Sequence, residues 1–257
     1  MQRPPVPAAI PMPDQANLPR HIGVIMDGNG RWAKRQHLPR VLGHRAGVRA
    51  IRPVMEACNA AGVHILTLYA FSTENWSRPR REVTALMRLF EETIDSEVGE
   101  LHENGVQIRV IGDRSRLSSG LCEKVEAAED YTSGNIRAIL NVAINYGGRS
   151  EIVAAVRDLA SGGADLTELD EMTLSGALYT AGLPDPDLVI RTAGELRVSN
   201  FMLWQMAYAE LFVTDALWPD FGPADIDIAL RSFASRQRRF GAAEPPVVAA
   251  TTESRVG

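Results

Sequence analysis

Six short apolar runs punctuate the chain, and most of them stop at turn-forming residues. His21–Met26 stops at Asp27-Gly28, His64–Phe71 at Ser72, Val106–Ile111 at Gly112-Asp113, and Ala138–Tyr146 at Gly147-Gly148. Asp187–Thr192 ends just before Gly194, and Leu211–Thr214 is the sixth run. Runs of this length between turn signals read as buried strands. Between them, Val83, Leu86, Met87, Phe90, Ile94, Val98 and Leu101 recur at helical spacing, which predicts one long amphipathic helix over Glu82–Glu103. Ser150–Ala160, Asp225–Arg239 and Gly43–Ala61 also read as helices. The last contains Pro53, which removes a backbone hydrogen bond and either bends the helix or divides it. Strands alternating with helices define an α/β chain, a mainly parallel central sheet of about six strands surrounded by helices. Ligands of such sheets bind beyond the carboxyl ends of the strands.

The residues after each strand are therefore where chemistry is expected. The first strand leads into Asp27-Gly28-Asn29-Gly30-Arg31-Trp32. Two glycines allow a tight turn with exposed N–H groups, and a helix starting near Gly30 would add its dipole, so the segment suits a phosphate. Arg31 supplies a charged fork, and a carboxylate beside a phosphate site, here Asp27, commonly holds Mg²⁺. An ordinary Asp-Gly turn explains the same residues. The second strand leads into Ser72-Thr73-Glu74-Asn75-Trp76-Ser77-Arg78-Pro79. This is either a capped turn before the long helix, with Ser77 or Glu74 as cap, or a loop over a site in which Trp76 excludes water and Arg78 reaches a phosphate. The fifth strand leads into Arg191 through Asn200, where Arg191, Arg197 and Ser199 could clamp a second diphosphate. Glu210 lies in a largely apolar stretch, where a carboxylate is costly unless paired or metal-bound, and both readings stand.

Composition narrows the choices. The chain has 257 residues with a net charge of -5, and its pI of about 5.6 argues against a dedicated nucleic-acid binder. Its cations are nevertheless concentrated: Arg31, Lys34, Arg35, Arg40, Arg45, Arg49 and Arg52, then Arg78, Arg80 and Arg81. A local basic site on an acidic protein suggests a small anionic ligand. Cys58 and Cys122 lack metal or disulfide spacing and fit a reducing compartment. No apolar run has the length of a membrane span, and no signal-peptide pattern opens the chain, so a cytoplasmic location is expected. Pro4, Pro5, Pro7, Pro11, Pro13 and Pro19 mark residues 1–18 as a flexible arm. Residues 242–257 read as a second flexible tail, leaving 19–241 as a single folded domain. The histidines form no HExxH pair, there is no GxSxG elbow, and Walker A and GxGxxG loops are missing.

Taken together, HIGVIMDGNGRWAKRQ, GHRAGV, LTLYAFSTENWSRP, INYGGR, DLVIRTAGELRVSNFMLWQMAYAEL, LWPDF and RRFG resemble, in order, the cis-prenyltransferase (undecaprenyl diphosphate synthase) family. The likeness runs from about His21 to Gly241. It implies an enzyme that condenses isopentenyl diphosphate onto an allylic diphosphate, with farnesyl diphosphate as the expected primer. The implied fold carries an elongated apolar tunnel between sheet and helices. By position, Asp27 matches the essential aspartate that binds Mg²⁺ with the diphosphate. Gly28, Asn29, Gly30, Arg31, Trp32, Arg40 and His44 match the allylic diphosphate site. Ser72, Thr73, Glu74, Trp76 and Arg78 match the loop that closes over substrates, and Asn75 a residue implicated in proton removal. Arg191, Arg197, Val198 and Ser199 match the isopentenyl diphosphate site, and Glu210 a second metal ligand. Arg239 and Gly241 match an element that reaches across the family's homodimer. The family often has Ser or Gly where this chain has Ala193.

Small Ala70 and bulky Leu140, which matches a tunnel-floor residue of long-chain members, favour undecaprenyl diphosphate, the cell-wall carrier-lipid precursor. A medium-chain or decaprenyl product is the alternative. So apolar a product brings transient contact with a membrane surface into view. Non-catalytic partner subunits of this family typically lack the aspartate turn and the loop asparagine, whereas this chain keeps Asp27, Arg31 and Asn75. An unrelated nucleotide-binding α/β protein would be expected to carry one of the missing phosphate-loop fingerprints.

Overall fold

The computed structural model describes residues 18–236. Most of the proline-rich arm, the C-terminal tail, and the Arg239 and Gly241 element lie outside the described residues. Six strands form one sheet: β1 (His21–Ile25), β2 (Ile65–Ser72), β3 (Val106–Ile111), β4 (Ala138–Tyr146), β5 (Leu188–Arg191) and β6 (Glu210–Val213). Their order is β3-β4-β2-β1-β5-β6, and every pairing is parallel. Each apolar run of the sequence became a strand, with ends shifted by a residue or so.

Among the described residues the helices are α1 (Asn29–Arg35), α2 (Arg40–Ala60), α3 (Arg80–Glu103), α4 (Ser119–Thr132), α5 (Gly148–Ser161), the short α6 (Glu171–Ser175) and α7 (Pro223–Ala234). Pro53 does not divide α2, which is a single helix through it. α4 was not foreseen. It buries Leu121, Val125, Ala128 and Thr132, one helical stripe, and Ser118 caps it by accepting the Leu121 N–H at 3.1 Å. Only two of those four are large apolar residues, so the periodic signal is weak. α7 ends at Ala234, short of the expected Arg239.

The two faces of the sheet differ. Ile22, Val24, Leu66, Leu68, Leu140 and Ile190 point into one cluster with residues of α2 and α7. Ile25, Tyr69, Ala143, Phe201 and Met202 pack on the other side. That second side also buries a polar chain. The Nδ1–H of His21 donates to the Pro184 carbonyl at 2.7 Å, which fixes the tautomer because a carbonyl only accepts. The Thr67 hydroxyl donates to His21 Nε2 at 2.6 Å and accepts from Asn141 Nδ2 at 3.1 Å.

Complete burial, only partly offset by the bond to Pro184, lowers the His21 pKa from 6.5 to about 4. The unfolded chain therefore takes up this proton as pH falls through 6.5, while the folded chain refuses it until about 4. Acid in that window destabilises the fold through His21, and the effect is absent above pH 7. The unfolding free energies of wild type and His21→Gln, measured in urea, should converge by about 2–3 kcal/mol between pH 7 and 4.5. A gap independent of pH would contradict this.

Candidate active site

In the strand order, β1 leads through α1 and α2 to β2 on one side, while β5 leads to β6 on the other. The chain parts company between β1 and β5, and a crevice opens above their carboxyl ends. Asp27, two residues past β1, and Arg191, the last residue of β5, meet there: Arg191 Nη2 donates to Asp27 Oδ2 at 3.0 Å. The backbone beneath is tied as well. The Asp27 N–H donates to Thr192 Oγ1 at 2.9 Å, and the Thr192 hydroxyl donates back to the Asp27 carbonyl at 2.6 Å. The Trp218 N–H donates to the same carbonyl at 3.0 Å.

Gly28 makes the turn into α1. Its φ of 107° is left-handed, and a Cβ there would lie 2.9 Å from the Leu217 side chain. The amides of Asn29, Gly30 and Arg31 then open α1 with no carbonyl a turn earlier to bond. α1 sits unusually close to α2. A Cβ on Gly43 would fall 2.1 Å from the Asn29 carbonyl oxygen, and one on Gly47 2.5 Å from Asn29 Oδ1. Two glycines one turn apart on α2 thus form the seat of α1.

Three recesses meet at this point. A cleft of about 850 Å³ is lined by Asp27, the start of α1, Arg31, Lys34, Arg40, His44 and Arg78. A recess of about 540 Å³ lies on the other side of Asp27, against Ser72, Glu74, Asn75, Arg78, Arg191, Ser199 and Asn200. An apolar cavity of about 150 Å³ runs between the sheet, α2 and α3, past Ala70, Phe90, Ile94, Leu101 and Leu140. Met26, Asn29 and His44 line all three.

Carboxylates hold the cationic groups in place. Glu82 receives Arg78 at 3.3 Å and Arg40 at 3.5 Å, with the His44 ring at 3.8 Å. Burial, with the nearby Arg78 charge, lowers the His44 pKa to about 4, so its imidazole is neutral at pH 7. Glu195 lies between Arg31, at 3.7 Å, and Arg197, at 2.6 Å. Arg191 is buried, and its Nη1 donates to the Arg197 carbonyl at 2.5 Å and to Ser199 Oγ at 2.8 Å. The loop it organises is conformationally unusual: Ala193, Gly194, Ser199, Asn200 and Met202 all have positive φ. Ala193, at φ 70°, carries strain of about 1 kcal/mol that a glycine there would not.

Not every residue singled out in the sequence faces these recesses. Trp32 donates its indole N–H to Asp220 Oδ1 at 2.6 Å, which ties α1 to the turn at Trp218–Asp220. Trp76 donates to Asn145 Oδ1 at 2.7 Å, with the Arg116 guanidinium 4.3 Å above its ring. Thr73 lies against Gly147. The Val198 carbonyl accepts the Phe201 N–H at 3.0 Å, a turn contact. The turn at Thr73–Ser77 is held by Asn75, whose Oδ1 accepts the Ser72 N–H at 3.1 Å, rather than by Ser77 or Glu74 as caps. Glu210 opens β6 opposite Leu188, at the end of the sheet away from Asp27, and it accepts from Arg236 at 2.5 Å. Glu82, Thr192, Glu195 and Asn200 went unselected in the sequence, because their roles consist of contacts with distant segments.

Mg²⁺ binds oxygen through one or two carboxylates, keeps several waters, and shares substrate phosphates. Among the described residues no three His, Cys, Asp or Glu side chains converge as a metal cage. The Asp27 carboxylate, which lines both anion recesses, is the donor that suits a Mg²⁺–diphosphate complex.

Fold and site together describe an α/β protein built to bring two anionic groups to the mouth of one apolar cavity. The family model described as "Putative undecaprenyl diphosphate synthase" matches residues 25–241, and the chain belongs to this prenyltransferase family. The farnesyl-diphosphate-specific ditrans,polycis-undecaprenyl-diphosphate synthase of Xanthomonas oryzae pv. oryzae is 49% identical over 96% of this chain and 98% of that one. An isoprenyl transferase of Heliobacterium mobile is 52% identical over 89% of each. Among solved structures, lavandulyl diphosphate synthase from Lavandula x intermedia, in complex with dimethylallyl diphosphate, superposes with a TM-score of 0.85 at 37% identity, over 88% of this chain and all of that one.

The seat of α1 is testable by adding one methyl group. Gly43→Ala should lower stability by about 1–3 kcal/mol and kcat/KM by about 10²-fold, because Asn29 and the Asp27 turn must shift. Gly99→Ala in α3, where a Cβ meets nothing within 4 Å, should instead raise stability by about 0.5–1 kcal/mol. Equal effects of the two substitutions in urea unfolding would contradict the assignment.

Proposed function

We propose that this chain is a cis-prenyltransferase that lengthens farnesyl diphosphate with isopentenyl diphosphate units to undecaprenyl diphosphate. The observation that carries the reading is that two anion recesses share Asp27 and open on one apolar cavity. The allylic diphosphate would lie on the α1 side, with Arg31, Arg40 and the first α1 amides. Isopentenyl diphosphate would lie against Arg191, Arg197 and Ser199. Asp27 would hold Mg²⁺, which neutralises diphosphate charge when bound.

In each round the allylic C–O bond breaks and negative charge grows on the leaving diphosphate. Fixed N–H groups and guanidinium groups stabilise that charge without reorganising. The isopentenyl double bond attacks, and a proton then leaves the new chain. Asn75 is not a base, because a neutral amide is too weakly basic to take the proton; its Oδ1 accepts the Ser72 N–H, which orients the side chain and leaves its Nδ2 protons to donate. The released diphosphate takes the proton, and Asn75 orients it.

The apolar cavity of about 150 Å³ is smaller than the roughly 300 Å³ of an ordinary small-ligand pocket. Growth of the chain therefore requires this cavity to enlarge. The exposed Leu211 on the edge strand β6, with exposed Tyr208 three residues before it, supports a homodimer through that edge. Two free cysteines suit the cytoplasm. Among the described residues no helix is long and apolar enough to cross a membrane. Transient contact with a membrane surface would receive the product.

With farnesyl diphosphate, excess isopentenyl diphosphate and Mg²⁺, chromatography of the dephosphorylated products should show an eleven-unit chain. Ala70→Leu, at the cavity mouth, should shorten it. A decaprenyl or medium-chain product from wild type would overturn the chain-length assignment, and no product with any primer would overturn the function.

A further inference from the structure

Asn200 has a left-handed backbone, φ 64°, at the end of the turn that carries Arg197 and Ser199. Its carbonyl accepts the Gly148 N–H at 2.7 Å, and its side-chain Oδ1 accepts the Arg149 N–H at 2.9 Å. Both donors belong to the first turn of α5, so Asn200 pins the turn to that helix. The bond from Arg149 also settles the orientation of the amide: a backbone N–H must meet oxygen, so the NH₂ group points the other way. There it donates to Glu74 Oε1 at 2.9 Å. A Cβ on Gly147 would lie 2.8 Å from both Asn200 Nδ2 and Thr73 Oγ1, so three segments converge on one point with no room to spare.

We infer that Asn200 is a positioning residue for prenyl transfer: it couples the turn that would bind isopentenyl diphosphate to the Thr73–Ser77 turn that carries Asn75. The inference rests on the function proposed above. Ser199 Oγ is held by Arg191, and the next residue reaches Glu74. Asn75 follows Glu74 within one tight 3-10 turn. A shift of the anion-binding turn is therefore transmitted to Asn75 through the Asn200 amide and the Glu74 carboxylate it holds. Glu74 fits the role of acceptor. Burial alone would raise its pKa, but hydrogen bonds from Asn200 and from its own turn hold the carboxyl below its ordinary value, and it stays ionised.

A donor–acceptor exchange tests the coupling. Asn200→Asp keeps the Arg149 bond and tolerates a left-handed backbone, but it sets a second carboxylate against Glu74. It should lower kcat by about 10²-fold and leave farnesyl diphosphate affinity, read by calorimetry, within about threefold of wild type, because that site lies on the other side of Asp27. Glu74→Gln should lose less, since its amide oxygen can still accept. The double variant Asn200→Asp/Glu74→Gln restores one donor facing one acceptor and should recover at least tenfold of the lost kcat. Asn200→Gly, which keeps the backbone and removes both side-chain bonds, should resemble Asn200→Asp in kcat. A double variant no better than Asn200→Asp, or a kcat for Asn200→Asp equal to wild type, would overturn the inference. Inactive wild type would instead overturn the function on which it rests.

Discussion

The arrangement depends on one ion pair placed where the sheet divides. Arg191 ends β5 with its guanidinium buried, and its charge is met by Asp27 and by the Arg197 carbonyl and Ser199 hydroxyl. A buried charge is tolerated only when partners surround it, and removal of one partner leaves the other exposed to the full cost of desolvation. The pair therefore fixes two things at once: the height of the Asp27 turn above β1, and the path of the loop after β5. The Thr192 hydroxyl, bonded to both the N–H and the C=O of Asp27, makes the same connection through the backbone. An anion that binds on either side of Asp27 meets groups already oriented by that pair.

Around this join the protein spends its carboxylates on neighbouring arginines, of which Arg31, Arg40 and Arg78 line the recesses. Glu82 gathers Arg40 and Arg78, and Glu195 gathers Arg31 and Arg197. The more exposed of these pairs, those of Glu195, contribute little to stability, about 0–1 kcal/mol each. Their effect is to restrict side chains that would otherwise sweep through solvent, so a diphosphate finds the cations assembled. The apolar cavity begins where the cationic walls end, at Met26, Asn29 and His44. Neutral His44 belongs at that boundary, because a second charge there would oppose entry of a hydrocarbon.

Much of this was legible in the sequence. All six strands were, because each is an apolar run and most are closed by a turn signal. So were the Asp27 turn, the two basic segments and the long apolar face of α3. What escaped depends on contacts that one-dimensional patterns do not carry. α4 shows too few large apolar residues for its period to stand out. Trp32 and Trp76 sit inside the motifs that suggest a substrate site, yet each indole is committed to a structural partner, Asp220 or Asn145. Glu210 could be read as a salt-bridge partner or a metal ligand from its apolar neighbours alone, and only the fold shows its contact with Arg236 at the end of the sheet away from Asp27. Glu82 and Asn200 were passed over for the converse reason: a glutamate in a helix and an asparagine in a turn are ordinary until the fold shows what reaches them.

The most direct test of the account is the turnover of Asp27→Asn with farnesyl diphosphate, isopentenyl diphosphate and saturating Mg²⁺, measured beside its affinity for farnesyl diphosphate alone. Asparagine keeps the size of the side chain and one of the two oxygens that Gly28 and Arg191 use, and replaces the other oxygen and the charge with an NH₂ group. The account predicts primer affinity within a few-fold of wild type and turnover reduced by about 10³-fold or more. Turnover within tenfold of wild type would mean that the Asp27 charge is structural, and that the junction of the two recesses is not where the reaction takes place.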